Sequence, residues 1–340
     1  MQVNMGRSYA EAHVNPQGVG DARPTAQQII DNEGLRGKLK GRTVVITGAS
    51  SGIGLETARA LSTTGATLFL PARDLSSAEK TLQGVLEQGR VSLIQMDNNS
   101  LKSIREAAKE ILTKSQGQVN ILIGNAGVMG IPERRLTDDG HETHFQTNFL
   151  SHFYLFQLLK DALLSSSTPE LHSRVVIVAS AAHRSTLLPG SDDYDFAKSP
   201  YDFHKAYSTS NLGKVYLANE INRRYSSKGL YATSLTPGAI STNLSRHVGP
   251  EFVKQITENP MIAKVLKSPE QGAATTVLAA VGAEWEDKGG RYLEDCAEAE
   301  RGEDDCETFS PGWVKQTYDP EAEARLWKDA LKMVNMQDED

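Results

Sequence analysis

The chain has 340 residues, 39% of them hydrophobic and 23% charged. Lysine and arginine number 36 against 43 aspartates and glutamates, a formal net charge of −7, which argues against a nucleic-acid or anionic-membrane surface as the main function. No stretch approaches the roughly 20 apolar residues that span a bilayer, and no basic-then-apolar segment of the secretory kind opens the sequence. Two cysteines, Cys296 and Cys306, suit a reducing compartment better than a disulfide scaffold. A cytoplasmic globular protein is expected, with both cysteines as free thiols on an acidic surface loop.

Residues 1–40 are polar and carry Pro16 and Pro24; they read as an extension over the core with one short helix at Ala26–Asn32. Thr43–Ile46 is a short run of β-branched residues, as expected of a strand buried on both faces. After a glycine-rich turn, Leu55, Ala58 and Leu61 recur at helical spacing until Gly65. Further strand-like runs lie at Thr67–Leu70, Val91–Met96, Val119–Ile123, Arg174–Ala179 and Leu230–Leu235, each separated by helix-length sequence. Six such runs joined by right-handed crossovers predict a parallel sheet. Residues 284–307 contain eleven carboxylates and read as a solvated edge. The chain is read as one doubly wound α/β domain over 41–310, with a helical C-terminal extension at 311–340.

The first strand runs into Thr47-Gly48-Ala49-Ser50-Ser51-Gly52-Ile53-Gly54. Glycines allow a tight turn and close approach of backbone to ligand. The free N–H groups of a helix opening near Gly52 favour a phosphate. A glycine triplet also fits a mere turn, but its place between a buried strand and an amphipathic helix points to a dinucleotide. Where NAD-binding folds place an acid for the ribose hydroxyls, the sequence reads Leu70-Pro71-Ala72-Arg73-Asp74. Ala72 takes the acidic position and Arg73 offers a cationic fork to a 2′-phosphate, so NADP(H) is the expected cofactor. Asp74 either pairs with Arg73 or contacts the ribose.

These segments resemble the short-chain dehydrogenase/reductase family over about residues 40–310. Residues 47–54 match that family's cofactor loop, and Gly124-Asn125-Ala126-Gly127 resembles its Asn-Asn-Ala-Gly motif, with Gly124 replacing the first asparagine. The resemblance implies a Rossmann-like sheet and cofactor contacts from Gly48, Ser50, Ser51, Gly52, Ile53 and Gly54. It places Asp97, followed by Asn98, at the adenine, and Asn125, followed by Ala126 and Gly127, along the ribose. Pro237-Gly238-Ala239-Ile240-Ser241-Thr242 resembles the segment that cups the nicotinamide carboxamide, which assigns Pro237, Gly238, Ile240 and Thr242 to the cofactor. A homodimer or homotetramer is also compatible with the family.

Reducing a carbonyl by hydride transfer needs a proton donor and a polarising hydrogen bond at the carbonyl oxygen. The family supplies these with a tyrosine and a serine, helped by an asparagine and by a lysine four residues after the tyrosine. Ser180 and Asn148 match the serine and the asparagine. Two tyrosines compete: Tyr201 has Lys205 at +4, whereas Tyr207 fits the family's Ala-Tyr-x-x-Ser-Lys pattern and opens a long helix. On the favoured alignment Tyr207 is the acid and Asn211 replaces the lysine. Asparagine can keep a ribose hydrogen bond, which gives both residues a cofactor role, but it supplies no charge to lower the phenol's pKa. With the phenol near its reference value of about 10, alcohol oxidation suffers more than carbonyl reduction. Lys205 and Lys214 are read as surface lysines, with rescue by either left open. His141-Glu142-Thr143-His144 reads as surface helix, and no metal site is expected.

The segment Arg184–Ser199 should form a loop over the reacting carbon. Residues 241–268, with Leu244, Phe252, Val253, Ile256, Met261, Ile262 and Val265, read as an apolar helical lid for a hydrophobic small-molecule substrate. Retinol-dehydrogenase-like and microbial secondary-metabolite reductases are the nearest subgroup in appearance. The expected activity is NADPH-dependent reduction of a ketone or aldehyde. A non-redox cyclase or isomerase, or a nucleotide-binding sensor module, are the rival readings.

Overall fold

Runs of four to six apolar and β-branched residues set the strands β1 (Thr43–Ile46), β2 (Thr67–Ala72), β3 (Val91–Gln95), β4 (Ile121–Gly124), β5 (Ser173–Val178) and β6 (Leu230–Leu235). The structure is a computed structural model that describes residues 9–242, 244, 259–308 and 310–338. The sheet order is β3-β2-β1-β4-β5-β6, continued by β7 (Arg291–Glu294) and β8 (Ala297–Glu298). Every neighbouring pair is parallel except β7 with β8. The helices are α1 (Ala26–Asn32), α2 (Gly52–Ser62), α3 (Leu75–Thr81), α4 (Leu101–Lys114), α5 (Ser151–Ser166), α6 (Phe203–Tyr225), α7 (Pro260–Val265), α8 (Pro269–Gly272), α9 (Ala274–Val281) and α10 (Pro320–Met333).

Successive strand residues point to opposite faces of the sheet, and both faces are covered. Val44, Ile46 and Leu68 pack with Ile29, Leu61 and Val277 on one side. Val45, Phe69 and Val175 pack with Ile104, Phe153, Leu212 and Trp327 on the other. The strand order reverses at β1, flanked by β2 and β4, and that switch opens a crevice at the carboxyl ends of the strands. Among the described residues no helix is long and apolar enough to cross a membrane.

Four expectations need correction. Residues 284–307 are not only a solvated edge, because they contain β7 and β8, with Tyr292 and Leu293 fully buried. Only Cys306 is exposed; Cys296 is buried beside Thr275, and burial pushes its thiol up to about 11. Residues 9–40 contribute to the core as well as lying over it. Tyr9, Ile29, Ile30 and Leu39 are buried, and the Arg23 guanidinium donates to the carbonyls of Gly18, Val265 and Leu266. Arg184–Ser199 does not line the crevice. Its Arg184 and Tyr194 are buried, with Tyr194 stacked on Phe145 at 5.0 Å. The lid residues Phe252, Val253 and Ile256 lie outside the described residues. Ile262 and Val265 belong to the short helix α7.

Candidate active site

The crevice is a cleft of about 370 Å³. Each residue assigned above to cofactor or catalysis lines it, from Gly48 at the end of β1 to Thr242 beyond β6. The turn between β1 and α2 is built for backbone approach. Gly48 has φ +69°, and a Cβ there would stand 2.8 Å from Ala126 Cα. A Cβ at Gly54 would stand 2.2 Å from the Gly48 carbonyl oxygen. The turn therefore accepts only glycine at these points, and it leaves the N-terminal amides of α2 facing the cleft, as a pyrophosphate requires.

Arg73 is exposed on the cleft and forms no ion pair with a described residue. Asp74, whose role was open, caps α3 by accepting from Ser77 N at 3.0 Å. Asp97 accepts from Asn99 N at 2.9 Å, and Asn98 donates to Ser151 Oγ at 2.9 Å. Asn125 donates through Nδ2 to the carbonyl oxygens of Thr47 and Gly48 at 3.0 and 3.2 Å, which locks the glycine turn to the end of β4.

Thr47 and His152 brace residues of the cleft, a part of the arrangement that sequence reasoning missed. Thr47 Oγ1 accepts from Asn125 N and Ala126 N, each at 3.0 Å, and lies 2.8 Å from His152 Nε2. His152 Nδ1 lies 2.7 Å from the Asn148 carbonyl. The network assigns the proton to Nδ1 and makes Nε2 the acceptor from the Thr47 hydroxyl. Burial, reinforced by the Lys214 charge, lowers the His152 pKa to about 3, so the ring is neutral and holds two strands and a helix in register. Their apolar surroundings gave no signal in the sequence.

Asn148 sits in a π-helical stretch, Phe145–Leu150, ahead of α5, a distortion often found at functional sites. Its Oδ1 accepts from Val128 N at 2.8 Å, and its Nδ2 donates to Val128 O at 3.0 Å and Ser210 Oγ at 2.9 Å. Ser180 lies two residues beyond β5 and accepts from Ala182 N at 3.2 Å, opening a short 3-10 turn over Ala181–Ser185.

Tyr207 lies in the first turns of α6, which Asp202 caps through Lys205 N at 2.8 Å. Burial raises its pKa, while side-chain hydrogen bonds to Ser180 and Asn211 oppose the rise. The expectation of a phenol near its ordinary value is therefore corrected upward. Asn211 also donates to the Tyr207 carbonyl at 2.9 Å.

The competing tyrosine is not in the cleft. Tyr201 donates to the Ile131 carbonyl at 2.9 Å and lies 3.4 Å from both Glu142 Oε1 and His144 Nδ1. Glu142 and His144 are themselves fully buried, not on a surface helix. Glu142 Oε1 meets His144 Nδ1 at 2.8 Å, and its Oε2 accepts from Phe145 N at 2.9 Å. Among the described residues no three metal-ligating side chains converge.

Lys214 is the other correction. Lys205 is exposed, as expected, but Lys214 is only 3% exposed and lines the cleft. Its Nζ donates to Ala126 O at 3.0 Å and Val178 O at 2.8 Å. Burial lowers its pKa to about 7.

Residues 42–251 match the family model described as short chain dehydrogenase. The chain is 45% identical to "Short-chain dehydrogenase/reductase prx1" of Penicillium roqueforti over 332 residues, covering 96% of this chain and 95% of that protein. It is 33% identical to human "Retinol dehydrogenase 13" over 304 residues, covering 88% and 86% of the two chains. The solved "Pseudomonas aeruginosa RhlG/NADP active-site complex" superposes with a TM-score of 0.60 at 25% identity, over 75% of this chain and 94% of that one. With a dinucleotide cleft at the sheet's switch point and a family match over most of its strands, the chain belongs to the short-chain dehydrogenase/reductase family.

Proposed function

We propose that the chain is an NADP(H)-dependent oxidoreductase that reduces a ketone or aldehyde on a hydrophobic small molecule, in the manner of a secondary-metabolite reductase. The reading rests on one observation: Tyr207 stands with Ser180 and Asn211 on the wall of the dinucleotide cleft, and both side chains act on its phenol by opposing the rise in pKa that burial causes. The cofactor, when bound, supplies the hydride to the carbonyl carbon. Tyr207 gives its proton to the carbonyl oxygen, so that an alcohol and oxidised cofactor result. Ser180 polarises the same oxygen, and Asn148 holds Val128 at the cleft edge by two hydrogen bonds. A pKa raised by burial keeps the phenol protonated at neutral pH, the form that donates.

Arg73 favours NADP(H), since an exposed guanidinium with no carboxylate partner among the described residues suits a 2′-phosphate; the similarity to RhlG, solved as an NADP complex, is consistent. Val128, Ile240 and Leu244 on the cleft wall favour an apolar substrate. The test is NADPH oxidation across a panel of hydrophobic ketones and aldehydes, with wild type and Tyr207→Phe. Loss of the proton donor should lower kcat by about 10²- to 10⁴-fold with the melting curve unchanged. Full activity in Tyr207→Phe would remove the proposed donor.

A further inference from the structure

Lys214 stands on α6 seven residues beyond Tyr207 and three beyond Asn211, which is about 10 Å and about 4.5 Å along the axis. Helical side chains lean toward the helix N-terminus, the end of α6 that carries Tyr207 and Asn211. Two of the three ammonium N–H groups are spent on the carbonyls of Ala126 and Val178, at the mouths of β4 and β5. One donor is left, and the residue lies on the cleft. The ammonium pairs with no carboxylate among the described residues, although it is almost wholly buried.

Lysine is almost never buried without a partner, because desolvation penalises its charge. Its pKa, lowered to about 7, records that penalty. Its charge also reaches across the cleft floor, where it helps to keep His152 neutral. Fixing two carbonyls needs only a neutral donor; a cation kept there against that penalty suits an oxygen that arrives with a ligand.

We propose that Lys214 is the cationic group of this active site. Its remaining N–H holds an oxygen acceptor on the nicotinamide half of the dinucleotide, and its charge favours the Tyr207 phenolate left when the proton moves to the substrate oxygen. Asn211, one turn nearer the phenol, contributes a hydrogen bond without charge. The cation and the hydrogen bond to the phenol thus come from two positions on one helix. This inference rests on the reductase reading for its catalytic half only; the binding half stands on the cleft.

The experiment titrates wild type, Lys214→Met and Lys214→Gln with NADPH, followed by nicotinamide fluorescence. The same proteins are titrated with 2′,5′-ADP, which lacks the nicotinamide half, by calorimetry. Lys214→Met should weaken NADPH at least tenfold and leave 2′,5′-ADP within twofold. Lys214→Gln keeps donors for the carbonyls without the charge, and should also fall in NADPH affinity and in kcat. NADPH affinity within twofold of wild type in both variants overturns the proposal, as does an equal loss for both probes. If wild type binds NADPH but reduces no carbonyl, the reductase reading fails while the two titrations still decide the role of Lys214 in binding.

Discussion

The Thr47 hydroxyl meets His152 Nε2 at 2.8 Å, beneath the cleft and between the ends of β1 and β4. A neutral imidazole is required there, since Nε2 must accept while Nδ1 donates to the Asn148 carbonyl. The folded protein protonates His152 only near pH 3, against 6.5 for the ordinary side chain. The unfolded chain therefore takes up this proton first as acid is added. The stability carried by neutral His152 is complete above pH 6.5 and is lost as pH falls toward 3, at up to about 1.4 kcal/mol per pH unit. Urea unfolding at pH 7 and pH 5 should show a smaller difference in His152→Gln than in wild type. Equal differences would show that the imidazole is not held neutral.

Arg73 leaves its guanidinium on the cleft, while its neighbour Asp74 is occupied as the cap of α3. A hydrogen bond to a charged group contributes about 1.5–3 kcal/mol. Arg73→Ala should therefore weaken NADPH by about 10- to 100-fold and change NADH by much less. Fluorescence titration of both cofactors checks this, and matching losses would place the arginine away from the 2′-phosphate.

Trp327 of α10 packs its ring edge-on against Phe153 at 5.0 Å and lies 6.2 Å from Phe156, with Arg224 4.7 Å over its face. It is 2% exposed and, with Leu326 and Leu331 beside it in the same core, is the largest side chain that fastens the C-terminal helix to α5 and α6. Trp327→Ala should cost about 3–5 kcal/mol. Chemical denaturation monitored by circular dichroism reads this directly, and a loss below about 1 kcal/mol would mean that α10 is held elsewhere.

Much of the cleft was legible because its chemistry is local in sequence. The turn from Gly48 to Gly54, Arg73 after β2, and Tyr207 with Asn211 each declare themselves within a few residues. What escaped depends on long-range burial. Lys214 looked like a surface residue because lysine usually is one, yet α6 is enclosed almost all round between Ser208 and Ile221. Glu142 and His144 looked solvated for the same reason, and they satisfy each other inside the protein. β7 hid in an acidic stretch because only Tyr292 and Leu293 of its four residues face the interior. The space between Ser180 and Tyr207 was read as a substrate loop from its length, whereas Tyr194 and Phe196 turn it inward.

Arg184 carries a consequence for the aim of Ser180. It closes the turn that Ser180 opens, and its guanidinium is encased by the carbonyls of Glu303, Glu307, Pro311 and Gly312 and by the Asp305 carboxylate. His183, its neighbour, meets Thr317 Oγ1 at 2.9 Å. The Ser180 hydroxyl is thereby moored to a stretch of chain more than a hundred residues downstream. Lengthening or cutting that tail would be felt first as a misaimed serine, before any strand came apart.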